Sequence, residues 1–207
     1  NIKIKISIDF FLSIIYNLSV IYINEGFLML TVEEKRTAAD VIALIASTVN
    51  GFALPVNEIT DWQGIIDFAK KQSVLNLVAY AAESLKIKPD ERTMRFLDEF
   101  RMQKMVVEAQ QELAACDACQ KLDKMGVRHM LLKGSVMKNF YPSPDMRTMG
   151  DIDILVDAAR CDDVVKAFMA DGFEFAGEGN LHSNVKRGNV YIEFHRSMVD
   201  SCDETLS

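Results

Sequence analysis

The sequence predicts an α+β fold, and three observations carry that prediction. Apolar residues recur at helical spacing from Thr31 to about Lys124. After Gly126 the pattern changes to short apolar runs that alternate with polar residues and are separated by glycine-bearing turns. The 207 residues, 49% hydrophobic and 26% charged, have the balance of an ordinary globular chain with room for one large domain or two small ones. The chain therefore divides into an atypical stretch at 1–28, a helical region at 29–125 and a small α/β core at 126–207.

Residues 1–28 are rich in Ile, Tyr, Phe and Asn and contain no alanine. The uncharged run from Phe10 to Asn24 is shorter than the roughly 20 residues a membrane span needs. Lysines precede an apolar run, as in a signal peptide, but no small-residue cleavage site follows. Three readings stand open: an anchor, a signal peptide, and translated sequence upstream of a start at Met29. The last is suggested by residues with A/T-rich codons and by Glu25-Gly26 at the position of a ribosome-binding site.

Thr31-Val-Glu-Glu34 has the form of a capping box, and Val41, Ile42, Leu44, Ile45 and Val49 form the apolar face of the helix it opens, which ends at Asn50-Gly51. After Pro55 and Asp61 comes a second helix carrying Ile65, Ile66, Phe68 and Ala69 and then Leu75, Leu77 and Val78. A break at Lys88-Pro89-Asp90 precedes the longest helix, from about Glu91 to Lys124. Phe96, Leu97, Phe100, Val106, Val107, Leu113, Ala114 and Leu122 are its apolar positions, at a spacing near 3.6, and the Met and aromatic stripes of the helical region read most simply as core. Gly126 stops it.

Beyond Gly126, Val127 to Leu132 reads as a strand, Ser135 to Phe140 as a short helix and Tyr141-Pro-Ser-Pro144 as a turn. Asp151 to Val156 is a second strand, and Cys161 to Asp171 an amphipathic helix closed by Gly172. Phe173-Glu-Phe175 is a further strand and Gly177-Glu-Gly179 a turn. Leu181 to Lys186 and Val190 to His195 form a hairpin across Arg187-Gly188-Asn189.

The chemistry concentrates between Leu131 and Val156. Asp151 and Asp153 flank Ile152, so on a strand both carboxylates emerge on one face while Ile152 and Ile154 take the other. Like charges so placed repel unless a divalent cation lies between them. The bland alternative, aspartates capping a strand-end turn, fits poorly with the buried residues that surround them. Gly134-Ser135 can open a helix whose free N–H groups and hydroxyl accept phosphate oxygens, although a plain strand-to-helix turn favours the same residues. Phosphate beside paired carboxylates points to a nucleotide with Mg²⁺ or Mn²⁺. Lys133 either reaches the phosphates or lies in solvent, and Arg147 either contacts a triphosphate or neutralises the carboxylates; both pairs of readings stay open.

At these residues the sequence resembles the nucleotidyltransferase superfamily typified by DNA polymerase beta, in which a Gly-Ser turn precedes an Asp-x-Asp strand and a third carboxylate follows on a neighbouring strand. More narrowly, LLKGSVMKNFYP, MRTMGDIDILV and YIEFH are similar to a bacterial branch called nucleotidyltransferase family 5. The likeness covers about Val127 to Met198, and what precedes it matches only as helical. The resemblance implies that Glu193 is the third carboxylate. It makes Asp151, Asp153 and Glu193 the metal ligands of a two-metal mechanism, with Lys133, Gly134, Ser135 and Arg147 toward the nucleotide. His195, on the Glu193 face, is a candidate substrate contact. His182, Lys186 and Arg187 are either a substrate rim or a solvated hairpin. Relatives usually continue with helices that bind the base, so the resemblance also implies that the segment ending at Ser207 is C-terminally truncated.

A net charge of −7 disfavours a long nucleic-acid partner, while leaving room for a local basic patch around Lys133, Lys138 and Arg147. Four cysteines are too few for a disulfide framework, and Cys116 and Cys119 form a lone CxxC with no second pair to complete a zinc site. The expected activity is transfer of a nucleoside monophosphate from NTP to an acceptor hydroxyl, in the cytoplasm. The alternatives are a catalytically weak nucleotide- or partner-binding protein of the toxin–antitoxin or regulatory kind, and a kinase-like phosphotransferase.

Overall fold

The computed structural model describes residues 31–50, 59–85, 87 and 89–198, with the backbone of two short strands ahead of them. Those strands, β1 (Val20–Ile23) and β2 (Gly26–Met29), pair antiparallel. The remainder of 1–28, together with Gly51, Pro55, Lys88 and the segment after Met198, lies outside the described residues. The fold is α+β: helices precede a mixed five-stranded sheet. The chain divides into two compact units, one ending at Lys104 and the other beginning at Met105, with residues 140–142 counted in the first.

In the first unit, α1 (Val32–Asn50) starts at the expected capping box: the Glu34 backbone N–H donates to Thr31 Oγ1, and Glu34 Oε2 accepts from the Thr31 backbone N–H. The single helix expected over 65–78 is two, α2 (Trp62–Lys71) and α3 (Leu75–Ser84). Ser73 takes a φ of +58° between them. A left-handed residue cannot continue an α-helix, and serine gives little sequence signal for that conformation. Val41, Leu44, Ile65, Leu75 and Val78 are fully buried in this unit, each stabilising it by about 1.5–3 kcal/mol.

The helix α4 (Glu91–Lys124) has the predicted bounds, and Asp90 caps it by accepting the backbone N–H groups of Arg92 and Thr93. The Met stripe is not core here: Met102 and Met105 are exposed. Leu97 and Leu122 are buried, whereas Val106, Val107 and Leu113 are exposed. The helix is only partly covered, so apolar spacing alone overstates its buried face.

The second unit is the five-stranded sheet and its helices. Its strands are β3 (His129–Leu131), β4 (Ile152–Val156), β5 (Glu174–Glu178), β6 (His182–Arg187) and β7 (Val190–His195), in the order β3-β4-β7-β6-β5. The central β4–β7 pair is parallel and the other pairs are antiparallel. Alternation sorts the strands into two faces. Ile152, Ile154, Val185, Ile192 and Phe194 pack on one side with Ala115, Ala118 and Leu122 of α4 and with Val164, Val165 and Phe168 of α6 (Cys161–Ala170). Phe168 meets Phe194 edge-on at 4.8 Å and Phe173 at 5.4 Å.

Two turns differ from expectation. Gly177 lies within β5 at φ +140°, where the pairing register shifts, so that glycine forms a bulge rather than a turn. The hairpin loop is Gly188-Asn189 alone: Arg187 pairs with Val190, and Gly188 at φ +59° suits the first central position of a two-residue loop.

Candidate active site

The face opposite the apolar core carries the charged residues. Asp153 and Glu193 occupy directly paired positions on the parallel strands β4 and β7. Asp151 sits just before β4. Oxygens of Asp151, Asp153 and Glu193 all lie within 4.8 Å of one another. The fold thus brings together the three carboxylates that the sequence singles out, one of them forty residues beyond the other two. Asp151 has no ion-pair partner among the described residues, so the cluster holds more negative charge than its neighbours offset.

Lys133 is the neutralising cation. Its Nζ donates to Asp153 Oδ1 at 2.7 Å, while its side chain remains 58% exposed against 5% for Asp153. His195 Nε2 lies 2.8 Å from the same oxygen and 3.4 Å from Glu193 Oε2. Burial pushes the Asp153 carboxyl up, but the Lys133 and His195 contacts outweigh it and hold the group below its usual value. The hydrogen bond to Asp153 raises Lys133 correspondingly. Arg147 does not neutralise the carboxylates: it forms no ion pair among the described residues, and its Nε is buried without a hydrogen-bond partner.

The turn that holds Lys133 forms differently from its sequence reading. Helix α5 (Lys133–Met137) begins two residues before Ser135, and Lys133 enters it at φ +43°, a strained value for a residue with a side chain. The N–H groups of this first turn have no intrahelical acceptor. Ser135 is buried with its Oγ unpartnered. Gly134 has a packing reason of its own, since a Cβ there would lie 2.6 Å from Met149 Sδ. A phosphate cradle is therefore not needed to explain the glycine.

Lys138 does not join Lys133 and Arg147 in a basic patch. Lys138 is 3% exposed, donates to Glu108 Oε1 at 2.8 Å and also binds Glu112, so its charge is spent inside the protein. Burial lowers the Lys138 ammonium pKa, but the two glutamates outweigh it and the net shift is upward. His182 is the residue that the sequence reading underused. Assigned there to the hairpin rim, it lies on β6 with Nε2 4.0 Å from Glu193 Oε1.

Comparison with known proteins agrees in class: the chain belongs to a nucleotidyltransferase family. That family is described as an uncharacterised nucleotidyltransferase, and it matches residues 58–206. The match takes in α2, α3 and α4 as well as the sheet, so the helical region from residue 58 onward is part of the family pattern rather than merely helical. No curated protein and no solved structure matches the chain. Among the described residues no helix is long and apolar enough to cross a membrane.

Proposed function

We propose that the chain transfers a nucleoside monophosphate from NTP to an acceptor hydroxyl. The observation that carries this reading is the convergence of Asp151, Asp153 and Glu193 on one sheet face with oxygens within 4.8 Å of one another. A cluster of oxygen donors with surplus negative charge suits a hard divalent cation such as Mg²⁺ or Mn²⁺, for which these three residues would be the ligands. Such ions, when bound, would lower the pKa of the attacking hydroxyl and offset charge on the leaving pyrophosphate.

The chain's own groups prepare the site. His195 spans Asp153 and Glu193 and fixes the orientation of both carboxylates. Lys133 holds Asp153 ionised, and its exposed ammonium is free to exchange that oxygen for a phosphate oxygen. Ser135 Oγ, buried and unpartnered, is a donor available to the same anion.

Water can stand in for the acceptor, which makes the reaction testable without knowing the natural one. Attack at the α-phosphorus gives NMP and pyrophosphate; attack at the γ-phosphorus gives NDP and phosphate. The expected outcome with labelled NTP and Mg²⁺ or Mn²⁺ is slow release of NMP and pyrophosphate, abolished in Asp153→Asn. Release of NDP and phosphate would replace this reading with a kinase-like one.

A further inference from the structure

Beside the carboxylate cluster lies a second group of donors of different chemistry. His182, Glu193 and His195 offer two ring nitrogens and one carboxylate oxygen, all within 4.8 Å of one another. The pairing of β6 with β7 places His182 directly across from His195, with ring centroids 5.5 Å apart. Glu193 reaches both: Oε1 lies 4.0 Å from His182 Nε2, and Oε2 lies 3.4 Å from His195 Nε2. Donors around a tetrahedral zinc ion stand roughly 3.3 Å apart, given Zn–N lengths of about 2.0–2.1 Å, so small side-chain movements would close the group around one ion.

Two further features support a site here. Gly179 makes room for the His182 ring: a Cβ at that position would lie 2.7 Å from Nε2 and 2.6 Å from Cε1. Asn184, paired with Glu193 across β6 and β7, has a buried Oδ1 with no hydrogen-bond partner. An uncompensated carbonyl oxygen next to the cluster favours a cation nearby.

We propose that His182, Glu193 and His195 form a separate cation site that takes a divalent transition metal of the Zn²⁺ class. Imidazole nitrogens suit borderline ions such as zinc, whereas all-oxygen sets suit magnesium and manganese. The two positions therefore differ in ion preference although Glu193 belongs to both. An ion here would take the His195 Nε2 lone pair and so replace that nitrogen's hydrogen bond to Asp153. The site does not depend on the nucleotidyl-transfer reading.

The chain has three histidines, so ring-nitrogen NMR can address each one in the folded wild-type protein. Titration with Zn²⁺ alone is expected to move the Nε2 resonances of His182 and His195 and to leave His129 unmoved, while Mg²⁺ moves neither site histidine by direct ligation. By equilibrium dialysis His182→Ala should weaken Zn²⁺ binding by at least about tenfold, because even residues that only orient a ligand cost 10–100-fold. Asp151→Asn, which removes no ligand of this site, should weaken Zn²⁺ binding far less than His182→Ala does. Zn²⁺ that binds without moving His182, or whose affinity depends on Asp151 and not on His182, would overturn the proposal. Binding of Mg²⁺–NTP reads the carboxylate cluster separately, so a chain that binds Mg²⁺–NTP but fails the Zn²⁺ test rejects this site alone.

Discussion

Replacing Lys138 tests how the turn that carries Lys133 to Met137 is anchored. Lys138 follows α5 directly and its side chain is 4% exposed, with its ammonium held between Glu108 and Glu112 of α4. Lys138→Met keeps most of the apolar stem and removes only the charge. It leaves two glutamates one helical turn apart, Glu108 at 19% side-chain exposure and Glu112 at 54%. Breaking a buried ion pair costs about 3–5 kcal/mol, and the exposure of Glu112 places the expected loss near or just below the lower end, about 2–3 kcal/mol. With a urea m-value of about 1–3 kcal/mol/M, the unfolding midpoint should fall by roughly 1–2 M. The pH dependence follows from the raised pKa. Below the unfolded value of 10.5 the lysine is protonated in both states and its contribution is complete; it is lost as pH rises through the higher folded value. Wild type should therefore lose stability in alkali that Lys138→Met has already lost. Adding Glu108→Gln to Lys138→Met should recover part of the deficit. A Lys138→Met midpoint equal to that of wild type at neutral pH would refute this account of the clamp.

Two other outcomes are expected. Lys133→Gly and Lys133→Ala both lose the Asp153 contact, but only glycine relieves the φ of +43°, so Gly should be the more stable by about 1 kcal/mol in thermal unfolding, and equal melting points would count against strain at the turn. Cys116 is exposed and Cys161 is buried, with burial the first cause pushing the Cys161 thiol up; alkylation followed by mass spectrometry should label Cys116 in the native protein and Cys161 only after unfolding.

The sequence showed most plainly what depends on local pattern. The 34-residue helix α4 was legible because periodicity, the Asp90 cap and the Gly126 stop agree. The common face of Asp151 and Asp153 followed from strand alternation, with Ile152 and Ile154 buried behind it. Nothing local showed that β4 and β7 run parallel as neighbours, which is what sets Asp153 against Glu193; only the resemblance led there. His182 illustrates a recoverable miss. A three-residue loop at Arg187-Gly188-Asn189 shifts the hairpin by one, whereas a two-residue loop at Gly188-Asn189 pairs His182 with His195. Buried compensation was invisible as well: Lys138 reads as a surface cation until Glu108 and Glu112 are seen around it.

The central claim is that the three carboxylates form a metal-dependent nucleotide site, and calorimetry tests it most directly. Titrating NTP into wild type with and without Mg²⁺, and into Asp151→Asn/Asp153→Asn, should show binding only in wild type with Mg²⁺. NTP binding of equal strength without Mg²⁺, or retained by the double variant, would contradict it.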